Sequence, residues 1–321
     1  MGRKEHPLVW YCHDDRNFAE LMDGWLFHGK GCIRAEDIRS ADRRFLVKSG
    51  KQAYRDRYRD IFKSADGMGL RLFIGTEHQA HVHYAMPVRI MDYDSVSYSL
   101  QKDMIRRQHE AAHDLAGDER LSGFSGADRL TPVITLVLYC GSRPWDGASR
   151  LHQILDLEHI PQQLRQYIAD YRIHVLDVCH TSDRRLKEFP PDIRTLFLFL
   201  KYRNNPEKLK SCMAGEQDIR SDTYNTIAES VGERRLKTVR PEEKGGKINM
   251  CKAIDILIAD GEKRGLARGI AQERKNTKRA EQRARREQER ATKAEKRIKE
   301  LEQMLNLQTD NLFPPKDTLE K

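Results

Sequence analysis

The chain lacks any apolar run long enough to cross a membrane, and its opening, MGRKEHPLVWYCHDD, holds no apolar stretch of signal-peptide length. His6 breaks the myristoylation pattern that Met1-Gly2 would begin. The six cysteines, at 12, 32, 140, 179, 212 and 251, contain no CxxC and no zinc-like spacing. Cys140 and Cys179 follow apolar runs and read as small core residues. This usage fits a reducing, cytoplasmic setting. No long internal repeat is visible.

What is present is charge. Across 321 residues and 37.4 kDa, 33% of the side chains are charged and the mean hydropathy is -0.76. That length can bury one good core and carry an appendage, allowing one to three domains. The formal net charge is +9 and the pI about 9.2, which favours a polyanionic partner but also fits a merely soluble basic protein. Between Gly261 and Glu300 stand fifteen Lys or Arg against seven Asp or Glu, so nearly all the excess lies there.

The stretch Leu70 to Gln79, LRLFIGTEHQ, reads as a β-strand. Leu70, Leu72 and Ile74 alternate with Arg71, Phe73 and Gly75, and a two-residue period sends alternate side chains to opposite faces. Glu77 and Gln79 therefore share a face. Upstream, Arg57 to Ser64 is a second candidate strand, and Asp66-Gly67 with Gly69 marks an antiparallel hairpin. A loop on Asp66-Gly67 or on Asp66 to Gly69 sets Asp60 opposite Phe73 or Gly75, on the face of Glu77 and Gln79. Two carboxylates and an amide suit a hard divalent cation, because Mg2+ keeps several waters and takes one or two carboxylates. A charged hairpin facing solvent is the competing reading.

The order Asp60, Glu77-His78-Gln79, Met86 and Arg89 on a following helix, then TPVITLVLY and GSRPW, resembles the Rpn family of recombination-promoting nucleases. These are also described as YhgA-like putative transposases, a branch of the PD-(D/E)XK nuclease superfamily. The resemblance covers roughly the first two thirds of the chain. It implies an α/β fold with a restriction-endonuclease-like mixed β-sheet core flanked by helices. It also implies that Asp60 and Glu77 bind the catalytic metal, and that Gln79 takes the third catalytic position, which is lysine in most of the superfamily. No DDE-type arrangement supports strand transfer.

Along the chain, Asp14 to Phe27 predicts a helix, with Phe18, Leu21, Met22, Trp25 and Leu26 on one face, Asp14 or Asp15 as cap and His28-Gly29 as stop. Glu20 and Asp23 are the acids of this helix that could face a metal, though Glu20 reads as solvated surface. Ala35 to Asp42 predicts a short helix and Arg44 to Val47 an edge strand. Tyr84 to about His113 predicts a long helix, with Pro87 in its first turn. Arg89 there could hold a phosphate or pair with Asp92, and Met86 reads as core. Gly117 to Arg129 reads as loop, Pro132 to Tyr139 as a central strand, Trp145 as a loop anchor, Ala148 to Leu155 as a helix and Ile173 to Val178 as a strand. The result is an α-β-β-β-α-β core with an extra αβ unit.

Residues 190 to 258 read as helical. Gly261, Gly265 and Gly269 mark a weak point, since a helical glycine costs about 1 kcal/mol relative to alanine. Ala271 to Leu307 predicts a charged helix whose a/d rhythm lasts about two heptads, so a solvated helix is favoured over a dimer seam. Asn311 onward reads as a disordered end. The expected divisions are a nuclease-like core at 1–189, a helical extension at 190–260 and a basic helical tail at 261–321.

The leading expectation is a Mg2+-dependent DNA endonuclease, with DNA as partner and a homodimer open through the core or the C-terminal helix. The alternative is a catalytically silent DNA-binding or assembly protein on the same scaffold. A third reading makes Glu77, His81 and His83 ligands of a transition metal, provided the strand continues that far. Glutamine cannot take up a proton near neutral pH, so the base stays unassigned.

Overall fold

The computed structural model describes residues 7–41, 59–67, 69–213, 218–230, 236 and 243–312. The expected edge strand from Arg44 to Val47 lies outside them. Helix α1 (Pro7–His13) leads into α2 (Asp15–Phe27). The Asp14 carboxylate accepts the amides of Arg16 and Asn17 at 3.0 and 3.1 Å, satisfying two donors that a helix start leaves over. Phe18, Leu21 and Met22 are buried along its apolar face, and His28 ends it in the left-handed region at φ 59°.

In place of a short helix through Asp42, a single 3-10 turn (Ala35–Asp37) passes directly into β1 (Ile38–Ser40). Ile38 is fully buried and pairs with Ala65, so the ladder, not the helix, satisfies its backbone. Strands β2 (Ile61–Gly67) and β3 (Leu70–Gln79) are antiparallel. Gly67 stands opposite Leu70, so Asp66 and Gly67 belong to the ladder rather than to the turn. Gly69 has φ 79°, a conformation that costs glycine little. The register slides by two or four residues from that expected and keeps its parity: Ile61, the first residue of β2, faces Thr76, and Asp60 stands just before the ladder begins.

Helix α3 (Met86–Ala112) carries Pro87 in its first turn and ends at His113 in the left-handed region. Within the stretch expected as loop, α4 (Gly117–Ser122) forms, closed where the Gly123 amide reaches the Glu119 carbonyl at 2.8 Å. Strand β4 (Val133–Tyr139) lies between β3 and β5 (His174–Asp177), parallel to both. Leu136 to Tyr139 are buried on both faces, which explains their unbroken apolar run. The helix expected at Ala148 to Leu155 is reduced to a 3-10 turn at Leu151–Ile154, where Gln153 Oε1 accepts the amides of Ser149 and Arg150. After it comes the single-turn α5 (Gln162–Arg165).

The sheet therefore runs β1-β2-β3-β4-β5, antiparallel in its first three strands and parallel in its last three. Helix α3 covers one face, packing Met86, Ile90 and Tyr93 against Val137 and Ile173. The N-terminal helices cover the other. Lys63 points to that second face, almost wholly buried, with Nζ on the His13 carbonyl and the Asp15 carboxylate, both at 2.6 Å.

Helices α6 (Asp183–Leu186), α7 (Pro191–Tyr202), α8 (Pro206–Cys212) and α9 (Ser221–Ser230) follow. The region expected to be wholly helical also holds a small antiparallel sheet, β6 (Asp218–Arg220), β8 (Lys247–Asn249) and β7 (Glu243–Lys244), in that spatial order. Gly245 and Gly246, both at positive φ, form the two-residue turn from β7 to β8, the geometry that matches strand twist.

Helix α10 (Met250–Leu312) closes the described chain. The chain divides into two compact units, 1–257 and 258–321. In the second, α10 is continuous over Gly261, Gly265 and Gly269, and residues 262–304 are exposed. Among the described residues no helix is long and apolar enough to cross a membrane.

Candidate active site

Alternation along β3 turns Glu77 toward α3, in the layer between sheet and helix. Its side chain is 1% exposed, a costly position for a carboxylate without compensation. Compensation comes from two sides. Gln79 Nε2 donates to Glu77 Oε1 at 2.9 Å, as expected for residues two apart on one face of a strand. Arg89 Nη2 approaches the same oxygen at 2.5 Å from the first turn of α3.

Arg89 is itself held from the next turn of its helix. Its Nε donates to Tyr93 Oη at 2.7 Å, and the guanidinium lies 5.6 Å from the Tyr93 ring centre. Burial works against its charge, but Glu77, Tyr93 and Asp60 together raise its pKa above the ordinary value. Burial and the Glu77 charge push the Tyr93 phenol up. A quarter of the Arg89 side chain stays exposed, so the pair opens to solvent at this end.

Asp60 stands immediately before β2. Its Oδ2 accepts the backbone amide of His78 at 2.7 Å and lies 3.6 Å from His78 Nδ1, whose ring is almost wholly buried. Burial raises the Asp60 pKa, yet the backbone amide and nearby ring of His78, with the Arg89 guanidinium beyond, outweigh it and hold the carboxyl below its ordinary value. Glu77 and Gln79 are thus in direct contact, while Asp60 is fixed on the neighbouring residue of the same strand. Both carboxylates act on the one guanidinium of Arg89.

Other sequence candidates fall elsewhere. Strand β3 ends at Gln79, and His81 and His83 are exposed beyond it. Among the described residues no three His, Cys, Asp or Glu side chains converge as metal ligands, and the strand that would have set Glu77, His81 and His83 on one face ends before either histidine. Glu20 is paired rather than solvated: Arg220 reaches both its oxygens, at 2.7 and 2.8 Å. Asp23 is buried and gathers the amides of Gly31, Cys32 and Ile33, a structural task. Trp145 anchors its loop, with its amide on Asp177 at 2.9 Å and its ring edge-on to Tyr139.

A second buried centre had no counterpart in the sequence reading. Arg59 forms an ion pair with Asp94 of α3 and donates to Thr135 Oγ1 at 2.8 Å and Ser97 Oγ at 2.9 Å. Asp94 also accepts from Thr135 at 2.9 Å and from the Tyr171 hydroxyl. Gly75 makes room for it, since a Cβ there would stand 2.1 Å from Arg59 Cδ. The clue in the sequence was a glycine in mid-strand, which often marks a close approach.

A five-stranded mixed sheet with α3 packed on one face defines an α/β protein, and the buried Glu77 with Gln79 and Arg89 lies at the end of β3. The chain belongs to the family described as Putative transposase, YhgA-like, whose model matches residues 51–214. That span takes in Asp60, Glu77, Gln79 and Arg89. No curated protein and no solved structure gives a significant match.

Proposed function

We propose that the chain is a metal-dependent DNA endonuclease that hydrolyses phosphodiester bonds on a restriction-endonuclease-like core. The observation that carries this reading is Glu77: a nearly fully buried carboxylate, hydrogen-bonded to Gln79, next in sequence to His78 whose amide holds Asp60, and within the family's matched span. Burial at that expense is hard to account for by solubility or packing alone.

The donor set fits a hard divalent cation. Asp60 is held ionised at neutral pH, Glu77 supplies a second hard oxygen, and two protein carboxylates are what Mg2+ ordinarily takes. Asp60 and Glu77 would hold it, and when bound it would supply Lewis acidity to the attacking water and the phosphoryl oxygen. The chain's own groups do the rest. His78 fixes the Asp60 carboxylate through its backbone amide. Gln79 orients a water or a phosphate oxygen by hydrogen bonding, without accepting a proton. Arg89 brings positive charge to the open side, where a phosphate would enter. The exposed basic helix after Gly261 adds sequence-independent affinity for the DNA backbone.

The ion pair between Arg89 and Glu77 favours a second reading, a catalytically silent DNA-binding scaffold in which the guanidinium has taken over neutralisation of the site. Plasmid nicking and linearisation with Mg2+ and with EDTA, beside Asp60→Ala and Glu77→Ala, separate the two. The nuclease reading expects Mg2+-dependent cleavage lost in both folded variants. Retained DNA binding with no cleavage above the variants over a range of divalent metals would overturn it. Removal of residues 261–321 is expected to flatten the slope of log affinity against log salt; an unchanged slope would show that the helix is not the DNA contact.

A further inference from the structure

Arg89 is placed where it must interact with whatever else binds Glu77. Its Nη2 contacts the same Oε1 that Gln79 holds, at 2.5 Å, and that carboxylate has 1% of its side chain exposed. A guanidinium in this position provides the positive charge that a buried carboxylate requires. It is not locked there by its surroundings. A quarter of the Arg89 side chain is open to solvent, and its other anchor, Nε on Tyr93 Oη at 2.7 Å, lies on its own helix. The fully closed Arg59, 5% exposed and bonded to Asp94, Ser97 and Thr135 from separate elements, has no such freedom.

We propose that Arg89 and a divalent cation occupy Glu77 in alternation: the guanidinium neutralises the carboxylate when no metal is present, and the metal displaces it. The inference rests on the nuclease reading for the presence of a cation, and deepens it by naming the group the cation competes with. Two positive charges close to one buried carboxylate oxygen repel each other at low dielectric, so simultaneous occupancy is disfavoured. Pivoting about the Tyr93 bond keeps Arg89 at the mouth of the site. There its freed N–H groups form a fork suited to a phosphate, so loading of the metal and readiness for an anionic substrate are coupled.

The test is metal binding, not cleavage. Calorimetric titration with Mn2+ and with Mg2+ is run on the full chain, on Arg89→Gln and on Glu77→Gln. Alternation expects Arg89→Gln to bind the metal at least tenfold more tightly than the unaltered chain, and Glu77→Gln to lose binding. Equal or weaker binding by Arg89→Gln overturns the proposal and makes Arg89 a support for the metal site. Absence of metal binding in all three chains overturns the nuclease reading, and the proposal with it.

Should Arg89→Gln fail to fold, the unaltered chain answers the same question. The Arg89 Nε–Hε resonance, followed by NMR during addition of Mg2+, is expected to shift with the midpoint of metal binding. A resonance unmoved at saturation overturns alternation while leaving the metal site intact.

Discussion

Two arginine–carboxylate centres connect the start of the β2 region and the end of β3 to α3, and they differ in how completely each is closed. Arg59 and Asp94 are buried together, and Ser97, Thr135 and Tyr171 add further hydrogen bonds around them. Glu77 is as deeply buried, but its arginine is partly exposed and its other partner, Gln79, stands at the last position of its strand. A closed network fixes one arrangement of the backbone; a partly open one leaves its cation, here Arg89, in contact with solvent. The first centre therefore reads as architecture, and the second is the one on which the nuclease proposal rests. They are also linked, since the residue that follows Arg59 is Asp60.

The comparison is broken most severely at Asp94. Asp94→Ala leaves the Arg59 guanidinium buried without its counter-charge, and a loss of about 3–5 kcal/mol is expected, measured as a fall in the urea midpoint. A loss below about 1 kcal/mol would mean that the network is not what holds β2 to α3. Tyr171→Phe removes a single donor to Asp94 and should cost roughly 1–3 kcal/mol in the same measurement.

At the open centre the expected effect is on rate. Gln79→Ala should lower Mg2+-dependent plasmid cleavage by about tenfold or more, equivalent to roughly 1.4 kcal/mol in the barrier, with the unfolding midpoint little changed. An equal loss of stability would assign Gln79 to the architecture instead.

The smallest effect belongs to a half-buried analogue near the far end of α3. His109 lies between Asp114 at 2.7 Å and Asp128 at 2.9 Å, and hydrogen bonds to the two carboxylates raise its pKa above the ordinary 6.5. A raised folded value means that its contribution is fully present below pH 6.5 and is lost as pH rises through that higher value. Thermal unfolding midpoints from pH 6 to 9 should therefore fall more steeply for the unaltered chain than for His109→Gln. Parallel curves would show that the ion pairs do not contribute.

How far the sequence carried depends on whether a feature is local. The alternation of LRLFIGTEHQ and the 3.6-residue rhythm after Tyr84 are periodic, and β3 and α3 follow them closely. The hairpin turn slipped because Asp66-Gly67 is the stronger turn dipeptide, while Gly69 supplies the positive φ actually used. Strands β1, β6, β7 and β8 are two or three residues long and carry too little pattern to register.

Partnerships across long separations were the least legible. Nothing near Lys63 in sequence announces that it reaches His13 and Asp15, and nothing near Arg59 points to Asp94. Arg89 was legible as a residue near the site, but its pairing with Glu77 rather than Asp92 needed the packing of α3 on β3. Glu77 and Gln79 could be set on one face from parity alone, because a period of two is insensitive to an even slip in register.

The most direct test of the distinction is a paired measurement of urea unfolding and Mg2+-dependent plasmid cleavage on Glu77→Gln and Asp94→Ala. Glu77→Gln is expected to lose about 100- to 1,000-fold in cleavage while unfolding near the unaltered midpoint. Asp94→Ala is expected to lose stability first, with cleavage retained by the fraction still folded. Contradiction would be the reverse pattern, a Glu77→Gln chain that cleaves normally but unfolds early, which would make the open centre structural as well.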